Sequence, residues 1–188
     1  MYRIVIEVNT MNGIQAFTKL QKGNTRYCRG EMKCLDHLSL ERELTAKNGQ
    51  QPFAIIFTCS DARVIPEFVF DQGIGSLFVV REIGHALSEA SLASIEYGVK
   101  HLGIPLLVVL GHTSCGAVKA VLHGQQADGA LGRTLENLKS RIGEEEDELK
   151  AVSANVSATV EQLRNIFKTE VEIHGAILNL ETGFVEMD

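Results

Sequence analysis

Three short apolar runs stand out along the chain, at residues 53–57, 76–80 and 105–110. Each is too short for a core helix and rich in β-branched or aromatic residues, so each reads as a buried strand. Around them apolar residues recur at helical spacing. Ile14, Phe17, Leu20 and Tyr27 define a first helix, and Leu35, Leu38, Leu40 and Leu44 a second over residues 31–47. A short helix is expected over 64–72, opened near Pro66. Leu92, Ile95, Val99 and Leu102 share one face of a helix over 88–102. Further helices are expected over 116–122 and over 148–167, the latter carrying Val152, Val156, Val160, Leu163 and Phe167. Residues 171–180 alternate in part, and Gly183 marks a turn before a final strand or hairpin at 184–186. Residues 125–132 read as a loop, and the acidic run 143–148 as a solvated helix start. Residues 1–12 read as a short strand or extension, with Met11 as an alternative start.

Strands alternating with helices give an α/β fold with a mainly parallel central sheet flanked by helices. We read residues 1–188 as one domain, an N-terminal helical arm (1–47) followed by an α/β core (48–188). The two arm helices precede the first strand and have no sheet of their own to cover, so they are expected to pack on a partner subunit.

The chemistry sits where strands end. The first run leads into Thr58-Cys59-Ser60-Asp61-Ala62-Arg63, and the third into Gly111-His112-Thr113-Ser114-Cys115-Gly116. Parallel sheets bind ligands at the carboxyl ends of their strands. If these strands are neighbours, Cys59, His112 and Cys115 converge, and two thiolates with one imidazole are a donor set for zinc with an open fourth position. The competing reading, three unrelated buried residues, must explain why both strand ends carry such groups. His112 and Cys115 also fall at a helix start, where the local field favours thiolate. Cys28, Cys34 and His37 lack a common zinc spacing and read as structural thiols and a surface histidine.

Composition narrows the setting. The chain is 45% apolar and 22% charged, with a formal charge of −6, which argues against nucleic acid as a partner. No apolar run approaches membrane-spanning length, and residues 1–8 are too short and charged for a signal peptide. Four cysteines in such a chain point to metal or catalysis before disulfides, in a cytoplasmic protein.

Cys59-Ser60-Asp61-Ala62-Arg63 followed by Gly111-His112-Thr113-Ser114-Cys115-Gly116 resembles the β-class carbonic anhydrases. Phe78-Val79-Val80-Arg81, Ser94-Ile95-Glu96-Tyr97-Gly98-Val99 and Leu180-Glu181-Thr182-Gly183-Phe184-Val185 are similar blocks in the family's order. The resemblance implies zinc held by Cys59, His112 and Cys115, with Asp61 and Arg63 as a catalytic dyad beside it. It implies substrate contacts from Gln50, Phe78, Ile83 and Tyr97, and it allows Asp61 to swing onto the metal as a fourth ligand in a closed state. It implies reversible hydration of carbon dioxide to bicarbonate by zinc-bound hydroxide, in a homodimer or dimer of dimers with exchanged N-terminal helices. Relatives on this scaffold hydrolyse carbonyl sulfide or carbon disulfide, and a non-catalytic zinc-binding module is a third possibility. At 81–85 the chain reads Arg-Glu-Ile-Gly-His, where many members carry asparagines near Glu82 and His85. His85 and His123 are expected to be uninvolved surface histidines.

Overall fold

Strand β1 (Ala54–Cys59) is buried along its whole length and forms the centre of the molecule. The structure, a computed structural model, describes residues 11–188; the extension expected at the N-terminus falls, up to residue 10, outside the described residues. Strand β1 pairs in parallel with β2 (Leu77–Glu82) on one side and β3 (Leu106–His112) on the other. Strand β4 (Glu172–Leu178) extends the sheet in parallel from β3, and the short β5 (Val185–Met187) closes it antiparallel. The order is β2-β1-β3-β4-β5. The expected α/β architecture with a mainly parallel sheet is what forms.

Alternate residues of the buried strands face opposite ways, so each face must be covered. One face, with Ala54, Ile56, Leu106 and Val108, is covered by α1 (Gly13–Arg29) through Ala16 and Leu20. The other, with Ile55, Phe57, Leu107 and Val109, is covered by α4 (Glu89–Lys100) and α7 (Glu148–Phe167). Gly111 lets α7 sit close on β3, since a Cβ there would lie 2.7 Å from a methyl of Val156. Helices α3 (Pro66–Val69), α5 (Gly116–Leu122) and α6 (Gly129–Ile142) complete the shell. No helix among the described residues is long and apolar enough to cross a membrane.

Three expectations are corrected. Helix α1 packs on its own chain's sheet, with Ala16 and Leu20 fully buried, because its apolar stripe matches the exposed face of β1 and β3. The second helix, α2, begins only at Leu38 (Leu38–Asn48): the amides of Lys33 and Cys34 donate to the buried Asp71 carboxylate at 2.7 Å each, which draws the backbone away from helical geometry. Helix α6 shortens the loop expected over 125–132, starting at Gly129 with Leu135, Leu138 and Ile142 buried at helical spacing. Unlike α1, α2 buries no residue, and Leu38 and Leu40 stay exposed.

Candidate metal centre

The ends of β1 and β3 lie side by side because the two strands pair in register from Ile55 opposite Leu107 to Thr58 opposite Leu110. Thr58 reinforces that end by donating its hydroxyl to the Leu110 carbonyl at 2.7 Å. Cys59 closes β1, His112 closes β3, and Cys115 sits at the N-cap of α5. Their ligand atoms all lie within 4.8 Å of one another, and all three residues are buried. Ser114 takes a left-handed φ of 56° so that the turn brings Cys115 back over the strand ends.

The donor set fits a zinc ion. His112 Nδ1 lies 2.9 Å from the Thr113 carbonyl, so its proton is on Nδ1. That leaves the lone pair on Nε2, a buried atom with no hydrogen-bond partner among the described residues. A carbonyl fixing one ring nitrogen while the other faces inward is the usual arrangement of a metal-bound histidine. A tetrahedral zinc with bonds of about 2.0–2.3 Å keeps its ligand atoms within about 4 Å of one another, so a small contraction closes the triangle.

The thiols are poised as a pair. A hydrogen bond from Cys115, opposed by burial and helped by His112 and by the Gly84 amide at 3.3 Å, pulls Cys59 down to about 4. The same shared bond and burial push Cys115 up, against the pull of the Val118 and Ala117 amides. One proton leaves readily and the second is held between the sulfurs. A cation placed there replaces that proton and stabilises both thiolates.

Asp61 stands at the rim with Oδ2 4.0 Å from His112 Nε2. Arg63 grips its carboxylate with two side-chain bonds of 2.9 and 2.7 Å and with its own amide at 3.0 Å. Arg63 also donates to the Ser114 carbonyl at 3.2 Å, which ties the two ligand loops together. The Arg63 bonds hold the Asp61 carboxyl well below the usual carboxylate range, so it is ionised at any working pH.

The four expected substrate residues are distributed unevenly. Ile83 follows Glu82, which pairs with Cys59, so it lies at the site and is 41% exposed. Phe78 pairs with Ile55, four positions earlier, which at about 3.3 Å per residue puts it some 13 Å back along the strand. Its ring lies 6.3 Å from that of Tyr97 on α4. Gln50 precedes β1 and is exposed at the opposite end of that strand from Cys59.

Two residues of the site are not among the expected ones. Arg81 donates to the Cys59 carbonyl at 3.2 Å and to the Asp61 carbonyl at 2.8 Å, holding the ligand loop in shape. An arginine ending an apolar strand is the signal that points to it. Gly84 supplies the amide to Cys59. The expectation for His85 is corrected: it is 1% exposed, because a left-handed turn after β2 carries it under α7, edge-on to Phe57. His37 and His123 are exposed, and Cys28, Cys34, Cys59 and Cys115 are all free thiols.

The family model described as carbonic anhydrase matches residues 54–185. A carbonic anhydrase of Mycolicibacterium smegmatis is 47% identical over 111 residues, which cover 59% of this chain and 53% of that protein. The chain thus spans about half the length of the curated relatives it matches first. A solved Coccomyxa β-carbonic anhydrase is similar with a TM-score of 0.62 at 25% identity, covering 82% of this chain and 85% of that one. A tetrameric β-carbonic anhydrase of Sordaria macrospora shares the fold with a TM-score of 0.66 at 24% identity, covering 81% and 92%.

Proposed function

Because the chain belongs to the β-class carbonic anhydrase family, we propose that it is a zinc enzyme catalysing reversible hydration of carbon dioxide to bicarbonate and a proton. The observation that carries this reading is the triangle of Cys59, His112 and Cys115 with an ionised carboxylate, Asp61, at its rim. Zinc held by these residues supplies a water with its pKa lowered from 15.7 to about 7, hence a nucleophile at neutral pH.

The chain's own groups aim that chemistry. Asp61 Oδ2 accepts the nucleophile's O–H and turns its lone pair toward the carbon of carbon dioxide. Arg63 keeps Asp61 ionised and in place, so a closed state with Asp61 as fourth ligand would compete with its side-chain bonds to Arg63. Ile83 forms an apolar wall where a nonpolar gas gains by leaving water.

Phe78 and Gln50 lie away from their own chain's Cys59, so as substrate residues they and Tyr97 act at the centre of a second copy, in a homodimer or dimer of dimers. Tyr97 is 48% exposed beside the edge strand β2. Leu35, Leu38, Phe68 and Ile74 line a groove of about 360 Å³ that also includes Ile65, two residues beyond Arg63, and Leu77, which opens β2. In this reading the second copy's Gln50 amide donates to the oxygens that become negative as the C–O bond forms. Four unpaired thiols fit a reducing, cytoplasmic setting.

The test is stopped-flow carbon dioxide hydration by zinc-quantified protein from about pH 6.5 to 9, around the pKa of such a water. Activity that rises with pH is expected. Full zinc occupancy with no hydration in that range overturns the reading, and hydrolysis of carbonyl sulfide or carbon disulfide by the same sample reassigns the substrate.

A further inference from the structure

Behind the metal triangle lies a buried polar network that neither binds metal nor touches the proposed substrate. Asn155, on α7, is fully buried. Its side-chain amide donates to the Gly84 carbonyl at 2.9 Å and to His85 Nε2 at 2.8 Å. Both neighbours accept, so the amide is fixed with its nitrogen toward them. His85 Nδ1 therefore carries the ring proton, and it and Asn155 Oδ1 are left without a protein partner among the described residues. A buried polar atom without a partner is costly, so the arrangement is not the cheapest way to fill this space.

The network holds a strained turn. Gly84 and His85 both adopt left-handed φ, at 56° and 41°, a conformation that is strained for a non-glycine residue such as His85. The turn is packed from the other side as well: a Cβ on Gly84 would lie 2.9 Å from Leu138 on α6 and 3.0 Å from Ala117 on α5. The outcome of this conformation is the Gly84 amide aimed at Cys59 Sγ, 3.3 Å away. Asn155 fixes the peptide that follows Gly84, and the tightly packed left-handed φ of Gly84 carries that constraint back to its N–H. Asn155 is itself braced, because Thr159 donates to its carbonyl at 2.8 Å and receives a hydrogen bond from Arg141 on α6 at 2.9 Å.

We propose that Asn155 is a positioning residue for the metal centre: through Gly84 and His85 it holds the Gly84 N–H on the Cys59 sulfur and so sets how strongly that thiolate donates to the metal. The inference rests on the zinc-site reading above. A hydrogen bond to a metal-bound thiolate draws electron density from the sulfur, and partners of this kind commonly change metal affinity by 10–100-fold when removed.

The test uses Asn155→Leu, which keeps the branched shape and removes both donors together with the unpaired oxygen. Thermal unfolding of the metal-free protein reads its fold. The cobalt-substituted protein reads thiolate donation through its sulfur-to-metal charge-transfer band. We expect a folded variant whose band is displaced and whose zinc affinity changes by about 10-fold or more. A folded variant with the band and affinity of the parent overturns the proposal. A second measurement needs no variant. In cadmium-113-substituted parent protein, a scalar coupling between the Gly84 amide proton and the metal is expected across the bond to Cys59 Sγ, and its absence overturns the proposal even where Asn155→Leu does not fold. Parent protein that binds none of these metals removes the zinc-site reading and this inference with it, whereas metal binding that is indifferent to Asn155 removes this inference alone.

Discussion

Cys59 and Cys34 are both buried cysteines, 5% and 7% exposed, yet the fold drives them in opposite directions. Cys59 is pulled down to about 4 by the hydrogen bond from Cys115, by the neighbouring His112 and by the Asp61 and Gly84 amides, which together outweigh its burial. Cys34 is pushed up to about 11 by burial and by the adjoining Asp71 carboxylate. Burial alone disfavours a thiolate. What separates Cys59 from Cys34 is therefore its neighbours: donors converge on Cys59, and an anion stands beside Cys34. That anion has a different task. Asp71 is fully buried on its side chain, ion-paired with Arg26, and bonded by the amides of Lys33 and Cys34, so it ties α1 and the following segment to the end of α3.

The contrast can be broken most severely at the sulfur itself. Cys59→Ser is expected to reduce zinc from about one ion per chain to near zero and hydration to background. Cys34→Ser is expected to leave zinc content and hydration unchanged, both read by metal analysis and stopped-flow assay. Next in size is Asp61→Asn, which keeps the shape and removes the ionised acceptor. Hydration should fall by about 100-fold or more while zinc content stays that of the parent. Loss of zinc in this variant would mean that Asp61 holds the metal rather than the nucleophile.

On the Cys34 side, Arg26→Ala leaves the Asp71 carboxylate buried without its cation. It should lower unfolding free energy by on the order of 3 kcal/mol in denaturant titration, with metal affinity unaltered. The smallest expected effect concerns His85, a buried group whose polar partner is the Asn155 amide and which has no anion among the causes of its shift. Burial, then the positive charge of Arg141, hold its pKa down at about 3, against 6.5 for an ordinary histidine. Below about pH 6.5 the unfolded chain takes up a proton that the native chain refuses. The contribution to stability is therefore complete above that pH and is lost as pH falls toward 3, by about 1.4 kcal/mol per pH unit. Metal-free parent protein should lose stability faster between about pH 6.5 and 4.5 than metal-free His85→Asn, whose side chain tolerates the left-handed turn. Equal slopes would show that His85 does not carry this term.

Much of the molecule is legible in the chain alone. The runs at 53–57 and 105–110 are short, apolar and flanked by turn residues, and they form the two central strands β1 and β3. Helix α7 is readable from its apolar residues every three to four positions, and it spans Glu148–Phe167. Cys59 and His112 are readable as site residues because a parallel sheet presents its strand ends together. Residues 31–37 mislead, since their apolar spacing is helical but Asp71 claims the amides of Lys33 and Cys34. His85 misleads because a polar residue in a turn usually faces water, and here the turn itself is buried.

What the sequence determined by itself were the quantities set locally: where strands and helices run, and which side chains stand at their ends. Hydrophobic period and chain stiffness act within a few residues, so they are written in short stretches. Only the tertiary structure decided that the Gly84 amide reaches Cys59, how Arg63 reaches Ser114 and Arg81 locks the Cys59–Asp61 loop, and where α1 finds its sheet. Each of these depends on hydrogen bonds or burial between residues far apart in the chain. The sign of a thiol's pKa shift depends on which of those neighbours arrive.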